Sequence, residues 1–452
     1  MRITRRDFIK SAGLGAAAWA SGFAGPGLSA GGRTRIPGAN DRVRVGIVGF
    51  SDRARHSLIP SFLAHGRDLN FEIVAVSDIW SRRRSEGLAF LKEAAGRAPS
   101  AARNNEELYE KFKLDAVIIS TADFQHALHA VEAVQAGCDV YVEKPFAETM
   151  ADNRATLKAI RESGKIVQVG SQRRSGANYI AAGEYIQSGR FGPITAVEMC
   201  YNVNQPGRWR RPDLVAAIKE KDTDWRRFLM NRPFEPWDPR KYLEYRLFWP
   251  YSSGIPGQWM CHQIDTVHWF TGLPHPRSVV ADGGVYAWKD GRENADTMAA
   301  VFDYGPPDDP TAGFQVVYSS RMHQSAGGTR EWYFSNGGKL DLDKNVVTAE
   351  GGLEESAAAA MGMESNLLEP FVLPEDKAVT TANTGADPMT YNHMRNWMEC
   401  VRSRRTPHAD ALAGYRHAIA VIMTTAALHT GQRATFDEET QEVMAGGRVF
   451  RY

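Results

Sequence analysis

Three short stretches of the chain carry side chains able to do chemistry. Glu143-Lys144-Pro145 follows the apolar run Val140-Tyr141-Val142. An ammonium at the carboxyl end of a parallel strand faces the crevice where such sheets bind ligands. Desolvation there lowers its pKa and suits it to exchange a proton with a hydroxyl. Gln258, His262 and Asp265 are spaced i, i+4, i+7, which predicts one shared helix face. An imidazole on that face can serve as acid or base, with Asp265 assisting; the alternative is a satisfied core histidine. Cys261 beside it reads as a small buried hydrophobe rather than a nucleophile.

The third stretch, Gly49-Phe50-Ser51-Asp52-Arg53-Ala54, follows the strand-like run Val43 to Val48. It stands where G-x-G-x-x-G would let backbone approach a pyrophosphate at a helix N-terminus. Only Gly49 is kept, with Ser51 and Ala54 in place of the other two glycines. Gly49, Phe50, Ser51 and Arg53 are the candidates for holding a dinucleotide. Asp78, at the end of the next apolar run, suits the ribose hydroxyls of NAD and repels the extra phosphate of NADP. Arg82, Arg83 and Arg84 follow and offer that phosphate a clamp, so NAD is favoured and NADP stays open. No Cys pair has C-x-x-C spacing, and no metal site is expected.

Six of the 11 tryptophans fall between Trp209 and Trp269, Trp259 among them. Sugar rings lay their C–H faces on flat aromatics, so this density suits a carbohydrate cleft, although most of the six should build core. Arg173-Arg174 and Arg208-Trp209-Arg210-Arg211 can pair with a carboxylate or with hydroxyls.

Apolar β-branched runs alternate with helical stretches from Arg42 to about Gly170, which predicts a parallel sheet with helices on both faces. Helices are expected near 57–64, 81–95, 125–136 and 151–163, with Pro60 tolerable only in a first turn. After Ser171 strand-like runs at 278–287, 297–304, 314–321 and 330–335 are followed by helices near 391–402 and 413–429. That pattern predicts an α+β domain with a largely antiparallel sheet. The boundaries are 1–30 leader, 31–41 linker, 42–170 first domain and 171–452 second.

The leader opens with Arg5-Arg6-Asp7-Phe8-Ile9-Lys10, continues Gly/Ala-rich and ends at Leu28-Ser29-Ala30. It reads as a twin-arginine export signal, the alternative being a basic tail or a surface anchor. The whole chain has 452 residues, with 54 Lys plus Arg against 53 Asp plus Glu. A net charge of +1 lacks the footprint of a nucleic-acid binder. No uninterrupted run of about 20 apolar residues occurs, which excludes a multi-span membrane protein.

Together these features resemble the Gfo/Idh/MocA oxidoreductases, the family of glucose–fructose oxidoreductase and inositol dehydrogenase. The resemblance rests on the Gly49 turn, Asp78, the Thr121-to-His126 segment, Glu143-Lys144-Pro145, Gly170-Ser171-Gln172-Arg173-Arg174, Gly189-Arg190-Phe191-Gly192, Gly254 and His262-Gln263-Ile264-Asp265. It implies an α/β fold: an N-terminal Rossmann doubly wound parallel sheet, then an α+β domain with a large, mostly antiparallel open sheet. It implies a catalytic Lys144, Glu143 beside the nicotinamide, and Thr121 and His126 at the cofactor. The family's common Asp-x-x-x-His pair aligns with Gln258 and His262; Gln258 cannot exchange a proton but can hold a substrate hydroxyl.

The expected protein is therefore an exported, periplasmic or secreted NAD(P)-dependent oxidoreductase of a sugar or polyol. Its cofactor is tightly bound. Lys144 and His262 are catalytic, and Arg173, Gln258, Trp259 and Asp265 meet the substrate. The alternative is a redox-neutral glycosidase or lyase that oxidises a ring hydroxyl transiently. Expected partners are a sugar or glycoside, the twin-arginine machinery and further copies of the chain, with no nucleic acid and no membrane span after processing.

Overall fold

The β-branched runs of the first domain become six parallel strands: β1 (Val43–Val48), β2 (Phe71–Ser77), β3 (Ser100–Ala102), β4 (Ala116–Ile119), β5 (Asp139–Val142) and β6 (Val167–Val169). The structure, a computed structural model, describes residues 42–306, 308–309, 311–374 and 387–451. The expected leader and linker (1–41) lie outside the described residues. The sheet order is β3-β2-β1-β4-β5-β6. It is a Rossmann sheet, and the order reverses between β1 and β4, where crevices for ligands open at the carboxyl ends of the strands.

Both faces of this sheet are covered, which is why its central strands read as continuous apolar runs. Val43, Val45 and Ile47 share a core with Leu58, Phe62, Met394 and Trp397. The last two belong to the helix Pro388–Ser403, so a segment near the end of the chain closes one face of the first sheet. The sequence predicts a helix near 391–402 but not which sheet it covers. Val117, Ile119, Val140 and Val142 form the opposite core with residues of the helices His126–Gln135 and Met150–Ser163. Thr149 caps the second of these by accepting the Asp152 amide N–H at 3.1 Å, and Gly164 ends it at φ 63°.

Pro60 does not begin an isolated helix. It lies within a continuous helical run from Asp52 to Leu69, just after the π-helical turn Ala54–Leu58. An i→i+5 turn shifts the hydrogen-bond register ahead of a residue that has no N–H to give.

The second sheet has eleven strands: β7 (Ala196–Asn202), β8 (Ser278–Gly284), β9 (Thr297–Tyr304), β10 (Phe314–Arg321), β11 (Thr329–Ser335), β12 (Gly338–Asp341), β13 (Val346–Thr348), β14 (Phe371–Val372), β15 (Ala434–Asp437), β16 (Glu442–Ala445) and β17 (Arg448–Val449). Their order is β14-β13-β12-β11-β7-β10-β9-β8-β15-β16-β17. Pairing is antiparallel except between β7 and β10. The fold is thus α/β, a parallel Rossmann sheet followed by a large, mostly antiparallel one.

The helix Ala411–Thr430 packs on β8 and on the helices Cys261–Thr271 and Met150–Ser163. Its 20 residues and mean hydropathy of 1.3 are long and apolar enough to cross a bilayer. Counting uninterrupted apolar residues overlooked it because Arg416 and His417 break the run. Fifteen of its residues are buried within the protein, so it serves as a core helix.

Candidate active site

A cleft of about 890 Å³ runs along the carboxyl ends of β1, β2, β4 and β5 and on to Tyr201, Trp259 and His262 of the second domain. At its first end Gly49 holds φ at 83°, and a Cβ there would stand 2.7 Å from Thr121 Cγ2. The turn therefore needs glycine at this position. Ser51 takes over from the missing second glycine by capping: its Oγ accepts the Ala54 amide N–H at 3.2 Å and donates to Ser120 Oγ at 3.2 Å.

Asp78 accepts the Phe50 N–H at 2.9 Å on one oxygen and the Trp80 N–H at 2.8 Å on the other. Each oxygen keeps a lone pair, and Asp78 lines the cleft. Burial raises its pKa against the pull of those two N–H groups. The three arginines after Asp78 are engaged within the chain. Arg82 binds Glu86 at 2.8 Å, Arg83 binds Asp52 and Glu86 at 3.0 Å each, and Arg84 donates to Asp78 O at 2.6 Å.

Arg53 donates to Glu143 Oε1 at 2.9 Å and to Ser57 Oγ at 2.8 Å. Burial works against the Glu143 charge, but Arg53 and Lys144 prevail and hold its pKa below the usual value. Thr121 Oγ1 is buried and has no hydrogen-bond partner among the described residues. The glycine turn, the Asp78 carboxylate and this unpaired hydroxyl together fit a dinucleotide. Gly49→Ala is expected to lower NAD affinity roughly tenfold by strain and by collision with Thr121, measured by calorimetric titration. Unchanged affinity would sink that role for the turn.

Lys144 lies at the meeting of the two domains, its Nζ donating to Gln258 O at 2.7 Å. The Lys144–Pro145 peptide bond is cis. His126 secures this turn: Nδ1 stands 2.9 Å from Pro145 O, and Nε2 stands 3.3 Å from Thr121 O. Burial lowers the His126 pKa, and the neutral ring donates to one carbonyl at a time. Burial also lowers the pKa of Lys144, the direction that frees its lone pair. His262 lines the cleft and makes no hydrogen bond to another described residue. Burial, then the charges of Lys144 and Arg173, push its pKa well below the usual value, so the imidazole is neutral.

Gln258, His262 and Asp265 do not share one face toward the cleft, as the spacing predicted. Gln258 belongs to a π-helical turn, Pro256–Met260, which precedes the α-helix Cys261–Thr271 and breaks the 3.6-residue register. Asp265 points away, bound by Arg174 through two contacts of 2.7 and 3.0 Å, and does not line the cleft. The expected substrate contact and relay role of Asp265 are therefore replaced by a buried ion pair. Arg174 overcomes the cost of burial and holds the Asp265 carboxyl below the usual carboxylate range. Gln258 lines the cleft, but its Nε2 donates to Asp123 Oδ2 at 2.5 Å and its Oε1 accepts from Arg246 Nε at 2.9 Å.

Arg173 lines the cleft and is paired with Glu331, its guanidinium 5.2 Å from the centre of the Tyr179 ring. Trp259 stacks on Tyr201 at 4.9 Å and 20°, with Trp209 at 5.6 Å and the Arg208 guanidinium at 5.8 Å. Of the six clustered tryptophans, Trp209 and Trp259 line the cleft. Trp225 and Trp237 pack on each other, Trp249 packs on His429, and Trp269 lies under Arg174.

Asp123, Glu148 and Arg246 emerge only in space. Asp123 lies within the Thr121-to-His126 segment but carried no chemical signal of its own. It also accepts from Ser252 Oγ at 2.6 Å. Glu148 is buried, accepts from the Ser253 N–H and Oγ at 3.2 Å each, and is pushed up to about 8 by burial and by Asp123. The folded protein thus retains a proton that the unfolded chain has lost. This contribution to stability is complete below a pH of about 4.5 and is lost as pH rises toward 8. From about pH 5 to about pH 7 the protein should lose roughly 2–3 kcal/mol relative to Glu148→Gln in urea unfolding. Parallel stability profiles would refute the assignment.

Residues 43–171 match the family model for Gfo/Idh/MocA, described as "Oxidoreductase family, NAD-binding Rossmann fold". Over this segment the chain is similar to the Gfo/Idh/MocA oxidoreductases. The 1,5-anhydro-D-fructose reductase of Ensifer adhaerens is 30% identical to the chain over 198 residues, 42% of this chain and 56% of that protein. An inositol 2-dehydrogenase of Salmonella typhimurium is 30% identical over 166 residues, 36% of this chain and 48% of that protein. The chain thus spans about half the length of the curated relatives it matches. In structure, the WlbA dehydrogenase of Bordetella pertussis, solved with NADH and UDP-GlcNAcA, superposes with a TM-score of 0.63 at 18% identity. That match covers 89% of this chain and 99% of that one. The likeness of fold to that structure therefore extends through both sheets. Among the described residues, no group of three or more His, Cys, Asp or Glu is placed to hold a metal ion.

Proposed function

We propose that the protein is an exported NAD(P)-dependent oxidoreductase that acts on a hydroxyl carbon of a sugar or polyol. The observation that carries this reading is Lys144. Its amine lies in the same cleft as the dinucleotide turn, is shifted toward the neutral form, and donates to a backbone carbonyl, that of Gln258. The relatives that bear the names of an anhydrofructose reductase and inositol dehydrogenases support a sugar or polyol as substrate.

Gly49, Ser51, Thr121 and Asp78 would hold the dinucleotide, with Glu143 and Arg53 beside its nicotinamide. Bound there, it supplies the two-electron acceptor for the carbon of the alcohol. Lys144 takes the hydroxyl proton. His262, uncharged, accepts or donates a hydrogen bond that orients the hydroxyl. Tyr201 and Trp259 form an apolar wall for the sugar ring. The Asp78 carboxylate and the engaged arginines after it favour NAD over NADP.

The decisive experiment denatures the protein purified after natural export and assays the released nucleotide, alongside turnover of sugars and polyols. Stoichiometric NAD with oxidised product is expected; an empty protein with feeble NAD affinity overturns the tightly bound cofactor. Export is tested by fractionation, in which Arg5→Lys with Arg6→Lys should retain the precursor in the cytoplasm. Self-association belongs to the same reading. The outward residues Ala299, Val301, Val317 and Phe334 of the second sheet form an incompletely covered apolar face. Light scattering should give a multiple of the chain mass.

A further inference from the structure

Asp123 is fully buried and does not line the cleft, yet Gln258 and Arg246, which it meets, both do. Its Oδ2 accepts from Gln258 Nε2 at 2.5 Å and from Ser252 Oγ at 2.6 Å, and its Oδ1 stands 3.8 Å from Arg246 Nε. Arg246 Nε in turn donates to Gln258 Oε1 at 2.9 Å. Carboxylate, amide and guanidinium thus close a circuit, and the amide fits it in one orientation only. Turned over, it would set its oxygen against the carboxylate and its NH2 against the guanidinium. Both hydrogen bonds would then go unmade in a buried place.

Gln258 also holds the amine: its backbone carbonyl accepts from Lys144 Nζ at 2.7 Å. One residue therefore carries both contacts, the main chain toward Lys144 and the side chain toward Asp123. Burial lowers the Lys144 pKa, Cys261, Glu143 and Asp123 oppose that shift, and Arg246 adds to it. The Cys261 thiol, pushed up to about 12 by burial, carries no charge at neutral pH, which leaves the two carboxylates. Glu143 is answered by Arg53 at 2.9 Å. The imidazoles that face this region, His262 and His126, have their pKa values lowered by burial and are neutral. Glu148, pushed up to about 8 by burial and by Asp123, keeps its proton at neutral pH, so two negative charges do not face each other there.

We propose that Asp123 is a positioning residue of this site, which from behind Gln258 locks the amide against Arg246 and supplies Lys144 with the negative charge that an amide at position 258 cannot. This deepens the oxidoreductase reading and rests on it for Lys144 being the group that exchanges the substrate proton. Gln258 then acts as a spacer: it carries no charge itself, but it is held by one and passes its dipole to Arg246. The carboxylate stays out of reach of the substrate while its field still acts on the amine.

The test follows acetylation of Lys144 by acetic anhydride across pH in the full protein, read by mass spectrometry of the peptide that contains it; only the neutral amine reacts. All proteins compared carry Glu148→Gln, so that the second carboxyl cannot ionise in place of the first. In that background Asp123→Asn should bring the midpoint down by roughly one pH unit, because a charge that favours the ammonium is gone. Exchanging the roles, Asp123→Asn with Gln258→Glu, returns one carboxylate and one amide to the pair and should bring the midpoint back to that of the background or above it. An unmoved midpoint in folded Asp123→Asn overturns the proposal, as does a lowered one that the exchange leaves uncorrected. Where Asp123→Asn alone does not fold, the exchanged pair decides by the same midpoint. Failure of both to fold also overturns the proposal, since Asp123 would then serve stability alone. Acetylation needs neither nucleotide nor sugar, so the two readings fail separately. A moved midpoint in a protein that oxidises no sugar removes the oxidoreductase reading and keeps this one, and an oxidoreductase with an unmoved midpoint does the reverse.

Discussion

Lys144→Met should lower kcat about 10²- to 10⁴-fold while leaving NAD affinity within about twofold of the parent. Methionine fills similar space but has no proton to exchange. It also strands the Gln258 carbonyl that Lys144 now satisfies at 2.7 Å. The pH profile separates chemistry from mere damage. Oxidation needs the neutral amine, so the parent rate should rise with pH through a midpoint below that of an ordinary lysine, since burial lowers this pKa. The residual rate of Lys144→Met should lack that rise. Transient absorbance of the nicotinamide reads both quantities, and an undiminished kcat would remove Lys144 from the mechanism.

Asp265→Ala is expected to cost about 3–5 kcal/mol of stability, the penalty for leaving a buried charge without its partner. Arg174 keeps only 11% of its side-chain surface exposed and Asp265 1%, so Arg174 would have little water to replace the lost carboxylate. His417, with Nδ1 3.9 Å from Asp265 Oδ1, would lose the same neighbour. Replacing both partners, Arg174→Met with Asp265→Leu, should recover most of the loss, because the desolvation cost disappears with the charges. Urea unfolding measures this. Folded Asp265→Ala should keep its KM for substrate, whereas a direct substrate contact would raise it.

These two residues show what was legible in the sequence. Lys144 could be placed because Tyr141-Val142 signalled a buried parallel strand and the turn after it has only one direction to face. Other long elements were legible for the same reason: β1, β9 and β10 run between their expected limits. Asp265 could not be placed, because the argument assumed an α-helical register through Pro256–Met260, where the chain makes a π-helical turn. Strand β7 was not among the expected strands, although it is central to the second sheet and pairs with both β10 and β11. Strands β12 to β17 have two to four residues each, too few to establish a period of two. Asp123 and Arg246 lacked any local pattern; only the fold brings them to Gln258.

The helix Ala411–Thr430 has a consequence for how the chain is made. Until the protein folds, this segment is an exposed stretch that a translocation channel could release sideways into lipid. Its partners β8 and the helices Met150–Ser163 and Cys261–Thr271 all precede it in the chain, so they are synthesised before it emerges. Burial against them removes the segment from contention as a stop-transfer sequence. A route that accepts only finished, folded cargo never encounters it, whereas one that threads the chain as an extended polymer exposes this lipid-compatible stretch.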